Sequence, residues 1–369
     1  MTTVDVLIIG GGPAGLSAAL HLLHADPRWA ARLLVLEKAH HPRPKLCGGG
    51  LTPIGKNALR RLGFPWPLPL LQVPVFTGRF VNGGDVVTLQ SAEPLFTVFH
   101  RPELDAYLAA EARRRGVMLQ EGVAVRRLLP APEGWRVLTD AGEYRARVVV
   151  GADGSRGITR NAVIDRRRHH AAARLLESIT PAPEDDRLPP NTACFDFSAV
   201  RRGLQGYTWR FPLRLRNAPY RNRGIYDARI ARKAPKAPLP ALLREAFPDL
   251  PPPQGHPIHL FSPFQRLARP GLLLVGDAAG ADPLFGEGIG PALAFGEIAA
   301  AAIAAAFRRN DFAFRGYRRR LLASPLGRYL TLRWAVAWWA YRLAPHRAPR
   351  RVIWWIAHAL AAYANFRTR

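Results

Sequence analysis

The apolar run Val4–Ile9 leads straight into Gly10-Gly11-Gly12-Pro13-Ala14-Gly15 and then into the helical stretch Leu16–His24. A strand that meets a helix through Gly-x-Gly-x-x-Gly has few folds open to it. The glycines allow a tight turn, a close approach of backbone to pyrophosphate at the helix N-terminus, and close helix–strand packing. A second strand, Leu33–Leu36, ends at Glu37, 22 residues after Gly15. A carboxylate there can accept both hydroxyls of a ribose and would repel a 2′-phosphate, so NADP is not expected at this place. Gly10, Gly12, Pro13, Ala14, Gly15, Glu37 and the adjoining Lys38 are therefore expected around a dinucleotide.

Far down the chain a buried strand, Leu272–Val275, is followed by Gly276-Asp277, and then Gly286-Glu287-Gly288-Ile289-Gly290-Pro291 opens an Ala-rich helix that runs to Phe307. A second carboxylate and a second Gly-rich helix start suit the ribityl hydroxyls and inner phosphate of FAD. A plain nicotinamide dehydrogenase has no use for them. Between the two halves lie a helical pattern at Arg101–Arg115 and strand-like residues through Val148–Val150 into Gly151-Ala152-Asp153-Gly154. Alternating segments follow at Ala193–Phe197, Tyr207–Leu213 and Gly224–Ile230, and then a Pro-rich connection, Pro238–His256, with a short helix. Alternation of period two points to antiparallel strands. The fold class expected is α/β: a Rossmann-like FAD-binding domain over 1–70, 98–165 and 266–310, interrupted by an antiparallel-sheet substrate domain over 71–97 and 166–265. A helical region covers 311–369.

The ordered fingerprints Gly10-x-Gly12-x-x-Gly15, Gly151-Ala152-Asp153-Gly154-Ser155 and Gly276-Asp277-Ala278-Ala279 resemble the flavoprotein class with the p-hydroxybenzoate hydroxylase fold. In that resemblance Arg101, with Leu104 and Asp105, matches the arginine that reaches the FAD phosphates, and Val123, in a strand-like stretch, matches the position whose backbone meets the adenine. Lys45-Leu46-Cys47-Gly48-Gly49-Gly50 and Tyr207-Thr208-Trp209-Arg210-Phe211-Pro212 are similar to the C-G-G loop and Y-x-W-x-F-P strand of the geranylgeranyl reductase family. The likeness runs from Val4 to about Phe307 and departs at Leu213. It implies an FAD-dependent enzyme that saturates C=C bonds of an isoprenoid chain on a lipid, quinone or pigment, by hydride from reduced flavin plus a proton. The electrons would come from NAD(P)H or a ferredoxin-like donor.

An isolated alkene is not an electrophile, so such a site needs a dry apolar slot, close flavin approach and an acid. A thiol, with an ordinary value of about 8.5, is a weak acid that stays protonated at neutral pH. The resemblance implies Cys47, Gly48, Gly49, Asp153, Gly276, Asp277, Gly286, Gly288 and Ile289 beside the flavin, with Cys47, Tyr207 and Trp209 in turnover. Tyr207, Trp209 and Phe211 share one strand face and would guide the prenyl chain. Plain structural readings stand beside these: Cys47 as a small buried hydrophobe, the aromatic face as core packing, Asp153 as a turn residue, Arg101 as a helix-start surface charge. An aromatic hydroxylase of the same fold is the alternative function. A flavin halogenase would need a lysine after the first flavin loop, and none occurs between Lys56 and Lys233. A non-enzymatic flavin-binding membrane protein requires Cys47 and the strand aromatics to be idle.

The charge is lopsided, with 53 Lys+Arg against 27 Asp+Glu, or +26. Five of the 53 are Lys, which suits codon usage. From Phe312 to Arg369, however, there are 12 Arg, no acid and five of the nine Trp. Two helical patterns, Tyr329–Leu343 and Val352–Phe366, are separated by Pro345 and Pro349. Trp beside Arg predicts an interfacial anchor on an anionic membrane surface; a packed helical pair is the alternative. No nucleic-acid motif accompanies the charge. Cys47 and Cys194 are too few for a disulfide scaffold or a Cys-rich metal site, so no metal is expected and a reducing compartment fits. Val4–Ile9 stands where a signal peptide would lie, and the 15 residues of Val352–Phe366 fall short of a bilayer span. The expectation is a cytoplasmic, peripherally membrane-associated protein.

Overall fold

The strand Thr2–Ile9 becomes the middle of a parallel ladder in the computed structural model, which describes residues 2–164, 172–231 and 234–343. Leu33–Leu36 and the end of Thr2–Ile9 are buried on both faces, as parallel strands covered by helices must be. The sheet runs in the order Ala268–Arg269, Leu272–Leu274, Gly142–Gly151, Thr2–Ile9, Leu33–Leu36, Leu119–Gln120. The strands Gly134–Thr139 and Val125–Ala131 branch from Gly142–Gly151 as an antiparallel meander.

The helix Pro13–Ala25 packs on this sheet beside Ile289–Arg309. Ile289–Arg309 is the helix among the described residues long and apolar enough to cross a membrane, yet Leu293, Phe295, Ala299 and Ile303 are buried in the core. Its small residues let it approach Pro13–Ala25 closely: Gly296 lies against Ser17, whose hydroxyl donates to Leu293 O at 2.6 Å.

A second sheet has seven strands, in the order Gln254–Ile258, Ala173–Pro181, Ala218–Asp227, Gly206–Leu215, Thr192–Asp196, Thr77–Asn82, Asp85–Gln90. Its neighbours pair antiparallel except Thr192–Asp196 with Thr77–Asn82. A small third sheet joins Gly50–Leu51, Phe96–Phe99 and Gln72–Val75. The expected strand Gly224–Ile230 is instead Ala218–Asp227, because Arg216 and Asn217, with φ of 48° and 64°, make a two-residue hairpin with Gly206–Leu215. Positive φ at both turn residues matches the twist of the flanking strands. Val123 is not in a strand: it lies in the turn between Leu119–Gln120 and Val125–Ala131, and its N–H donates to Glu37 O at 3.0 Å.

The C-terminal helix starts earlier than its pattern suggested, at Pro325, and is described to Leu343. Leu326, Leu330, Ala337 and Tyr341 are buried, while Leu332 and Trp339 on another side are 66% and 59% exposed. The second expected helix, Val352–Phe366, with Pro345 and Pro349, lies outside the described residues.

A Cβ on Gly296 would collide with the Ser17 hydroxyl and the Ala18 backbone. Overpacking of this kind costs about 1–3 kcal/mol. Gly296→Val is therefore expected to lower the unfolding free energy by that amount, read as a fall in the urea midpoint, and an unchanged midpoint would show that the two helices are not in contact there.

Candidate active site

A cavity of about 800 Å³ opens at the carboxyl ends of the parallel strands and continues along the inner face of the seven-stranded sheet. Crevices at the carboxyl edge of such sheets are where open α/β folds hold ligands. Gly10, Gly12, Pro13, Ala14, Glu37, Lys38 and Val123 line its nucleotide end. Gly12 caps the helix Pro13–Ala25 without a side-chain bond, and the first turn carries no acid, so the N–H groups are open to an anion.

Glu37 stands at the cavity and also has a second, structural part. Its Oε2 accepts from Gly11 N at 2.8 Å and its Oε1 from Ala39 N at 3.1 Å, so the carboxylate braces the Gly-rich turn while lining the cavity. Gly15 and Gly276 do not line it. Each sits at a close approach, Gly15 against Gly10 O and Ile8, Gly276 against Ala14 and Ala292, and sets the spacing of helix and strand. Asp153 borders the cavity, but its carboxylate is occupied by Ile158 N at 2.7 Å, Thr159 N at 3.0 Å and the Thr159 hydroxyl. Those bonds fold the turn before the short helix Thr159–Val163, and burial nevertheless pushes its carboxyl up.

Arg101 is buried and folds back along its own helix, Arg101–Arg114, onto Asp105, with bonds of 3.0 and 3.1 Å. Burial opposes its charge, but Asp105 and Cys47 together hold the guanidinium above its ordinary range. Arg43, which sequence reasoning missed, approaches the same Asp105 at 3.5 Å and Glu37 at 3.5 Å. Its guanidinium faces Gly12, and its buried Nε lies 3.5 Å from Glu37 Oε1 without making a hydrogen bond among the described residues. Two cations thus stand near an uncapped helix N-terminus.

At the other end the loop carrying Cys47 lies over the aromatic strand. Gly49, at φ +77°, takes a backbone conformation that L side chains avoid, and a Cβ there would run into Phe99 O. Its N–H points at Cys47 Sγ, 3.5 Å away. Gly48 rests on Phe211 and the Trp209 indole, so a side chain there would have to displace the rings. Tyr207, Trp209 and Phe211 do face one way, and all three line the cavity. They also pack as core: Phe195 meets Tyr207 and Phe211 at 5.3 and 5.0 Å between centroids, and Tyr207 OH donates to Phe285 O at 2.6 Å. The two readings of this face are therefore compatible.

Between the ends, Asp277 lies 4.0 Å from Lys45 Nζ, which approaches His256 Nε2 at 3.4 Å. Burial, then Lys45, pushes His256 down to about 4. Burial lowers Lys45 as well, against the pull of Asp277. Gly286, Gly288 and Ile289 border the cavity at the second helix start. Glu287, half-buried with its carboxyl pushed up by desolvation, accepts from the Thr52 hydroxyl and from Tyr329 OH at 2.7 Å. Arg333 of the C-terminal helix also lines the cavity and pairs with Asp282 at 2.8 Å. A part of the chain read as a tail therefore closes the back of the site.

The remaining unforeseen residues are Glu177 and Asn222, buried behind the Cys47 loop. The signal for Glu177 was an acid at the inward phase of Leu175-Leu176-Glu177-Ser178-Ile179. Among the described residues no cluster of His, Cys, Asp or Glu could hold a metal ion. An elongated dinucleotide fits the residues present: open helix starts at both Gly-rich turns, Arg43 facing Gly12 with a buried Nε that makes no hydrogen bond among the described residues, and a cavity that runs on from Glu37 to Cys47.

The sequence profile of the FAD binding domain family matches residues 3–193. Menaquinone reductase of Mycolicibacterium smegmatis is 29% identical over 336 residues, 81% of this chain and 76% of that protein. Digeranylgeranylglycerophospholipid reductase 3 of Methanosphaera stadtmanae is 28% identical over 337 residues, 84% of this chain and 79% of that protein. The crystal structure of a geranylgeranyl bacteriochlorophyll reductase-like protein of Thermoplasma acidophilum superposes with a TM-score of 0.75 at 21% identity, covering 99% of this chain and 92% of that one. The fold is also shared, at a TM-score of 0.67 and 18% identity, with a p-nitrophenol 4-monooxygenase, so the fold alone does not choose the reaction. The profile spans more than half of the 369 residues, and on that ground the chain belongs to the FAD binding domain family, as an FAD-dependent oxidoreductase with a geranylgeranyl reductase-like fold.

Proposed function

We propose that the chain saturates C=C bonds of an isoprenoid chain carried by a lipid, quinone or pigment. The observation that carries this reading is the continuity of the cavity: its nucleotide end passes Cys47 and Gly48 into a chamber walled by Phe80, Phe96, Phe195, Tyr207, Trp209 and Phe211. A slot so apolar suits a prenyl tail and excludes water from the reacting carbons. The names of the relatives, a menaquinone reductase and a digeranylgeranylglycerophospholipid reductase, support the same substrate class.

Bound FAD, once reduced, supplies the hydride; NAD(P)H or a ferredoxin-like protein is the proposed source of its electrons. The chain's own residues do the rest. Arg43, Arg101 and the open helix starts bind the dinucleotide, and Asp277 offers a carboxylate to its hydroxyls. Gly48, having no side chain, leaves the passage to the aromatic wall open. The second hydrogen must arrive as a proton on the neighbouring carbon, and Cys47 at the junction is the residue on which turnover is proposed to depend. With reduced enzyme under anaerobic conditions, a geranylgeranyl lipid or a prenylquinone is expected to gain two hydrogens per double bond by mass. Flavin reoxidation without that gain, followed by a hydroxylated product when O2 is admitted, would overturn the assignment in favour of a hydroxylase. Cys47→Ser is expected to keep its FAD absorbance and lose most turnover, and wild-type turnover would remove Cys47 from the mechanism.

A water-insoluble substrate needs access from a membrane. Leu332, Val336 and Trp339 form an exposed apolar stripe on the C-terminal helix, between the exposed Arg328 and Arg342, and Phe264, 74% exposed, stacks edge-on against Trp334 nearby. Apolar side chains framed by arginines suit the interface of an anionic bilayer. An adjoining side of the helix is fastened to the cavity wall through Tyr329 and Arg333, and Tyr341 OH donates to Leu284 O. Removing the helix would therefore open the site, so the test is made on the full chain. Leu332→Glu, Val336→Glu and Trp339→Glu combined are expected to abolish sedimentation with phosphatidylglycerol vesicles while FAD absorbance stays unchanged; undiminished sedimentation would refute the docking surface.

A further inference from the structure

Glu177 stands on the strand Ala173–Pro181 opposite Gly224, with its side chain 3% exposed. Its Oε1 accepts from Asn222 Nδ2 at 3.1 Å, and the backbone N–H of Cys47 faces the carboxyl group. Its Oε2 is buried with no hydrogen-bond partner among the described residues. Asn222 is shared in three directions. The same Nδ2 donates to Cys47 O at 3.1 Å, and its Oδ1 accepts from Trp209 Nε1 at 2.7 Å. The Cys47 loop and the Trp209 indole, which come from segments far apart in the chain, are thus tied together through one amide and one carboxyl group.

We propose that Glu177 is a positioning residue: with Asn222 it forms a protonation-sensitive brace that holds the Cys47 backbone to Trp209 and sets how that loop lies over the flavin end of the cavity. Neutral, the carboxyl group accepts from Asn222 without placing a bare charge in an apolar layer. Ionised, it becomes an anion with an unpaired oxygen, drawn towards the two cations that face it. These are Arg101 from the helix Arg101–Arg114 and Lys45 from the Cys47 loop. Of the other elements packed against it, Ala218–Asp227 contributes Asn222 and Gly224, and the strand Gln254–Ile258 contributes Gln254 and His256, the latter against Lys45 and lowered to about 4 by burial and Lys45, so that it is neutral near pH 7. Burial, offset by Asn222, Arg101 and Lys45, pushes the carboxyl up to about 7, so both states are populated near neutral pH.

The inference rests on the prenyl reductase reading only in giving Cys47 a part in turnover; the brace itself is a matter of geometry. Its test therefore uses no prenyl substrate. The FAD-loaded wild-type protein is titrated from mildly acid to mildly alkaline pH and followed by the visible flavin spectrum. A transition with a midpoint near 7 is expected, and its absence would overturn the proposal. Glu177→Gln still accepts from Asn222 but cannot ionise, and is expected to abolish the transition. A transition surviving at the same midpoint would refute the assignment.

Should Glu177→Gln fail to retain FAD, Glu177→Asp is expected to keep a transition at a displaced midpoint, and an unmoved midpoint would count against the brace. Stability supplies a second readout. Because the folded-state value lies above the usual 4.5, the contribution of this group is complete below 4.5 and is lost as pH rises through about 7. Relative to wild type, Glu177→Gln should show a urea midpoint that falls less over that interval, and an identical fall would show that another group titrates. If no prenyl compound is reduced while the flavin transition behaves as expected, the substrate assignment fails and the brace stands.

Discussion

Register in the parallel ladder governs the rest of the molecule. Ile9 pairs with both Leu36 and Gly151, and Gly151 pairs with Leu274, so four strands from widely separated parts of the chain end at one level. Each strand end then releases a turn into the same crevice: Gly10–Gly15, Glu37, Ala152–Asp153 and Gly276–Asp277. A slip of one residue would carry that strand's turn about 3.3 Å out of the common level. Ladder hydrogen bonds and the packing of apolar side chains on both faces hold the strands in register. The site is in this sense a by-product of hydrophobic registration, with the polar turns carried to one place by apolar strands that never touch a ligand.

The other half of the site depends on fastening rather than registration. The Cys47 loop has little regular structure, and its place is decided by what it lies on: Phe211 and Trp209 beneath Gly48, Phe99 beside Gly49, Asn222 and Glu177 behind Cys47. Arg101 adds an electrostatic tie nearby, its guanidinium paired with Asp105 at 3.0 Å. Breaking a buried pair such as Arg101–Asp105 by removing one partner costs about 3–5 kcal/mol, because the remaining charge has no solvent to receive it. Similar ties, Tyr329 to Glu287 and Arg333 to Asp282, make the C-terminal helix part of the cavity wall. That helix has two jobs on two faces, one packed on the cavity and one apolar and exposed.

Much of this was legible in the residues. The Gly-rich turns, the acid ending the second strand and the period-two aromatic face are local patterns whose geometry follows from backbone rules, and each falls where its pattern put it. Strand and helix limits moved where turn chemistry took over, as at Arg216-Asn217 and around Gly122. Single charged side chains also take partners that no local pattern announces. Asp153 bonds its own turn, Glu37 divides itself between a turn and the cavity, and Arg101 lies inside the protein. A carboxylate takes whichever donors are nearest, and for these residues the nearest are backbone N–H groups or a guanidinium brought in by folding.

The sequence by itself determined the class of fold and the chemistry of its ligand, because a strand, a Gly-rich turn and a helix are made by neighbours, and neighbours are visible in a string of letters. Only the tertiary structure decided which polar groups meet. Arg43 with Asp105, Glu177 with Asn222 and Cys47, and Arg333 with Asp282 join segments tens to hundreds of residues apart, at spacings that carry no periodic signal. The physical reason is desolvation. Once these groups are buried, each must find a partner or change its protonation state, and which partner is within reach depends on the packing of the whole chain.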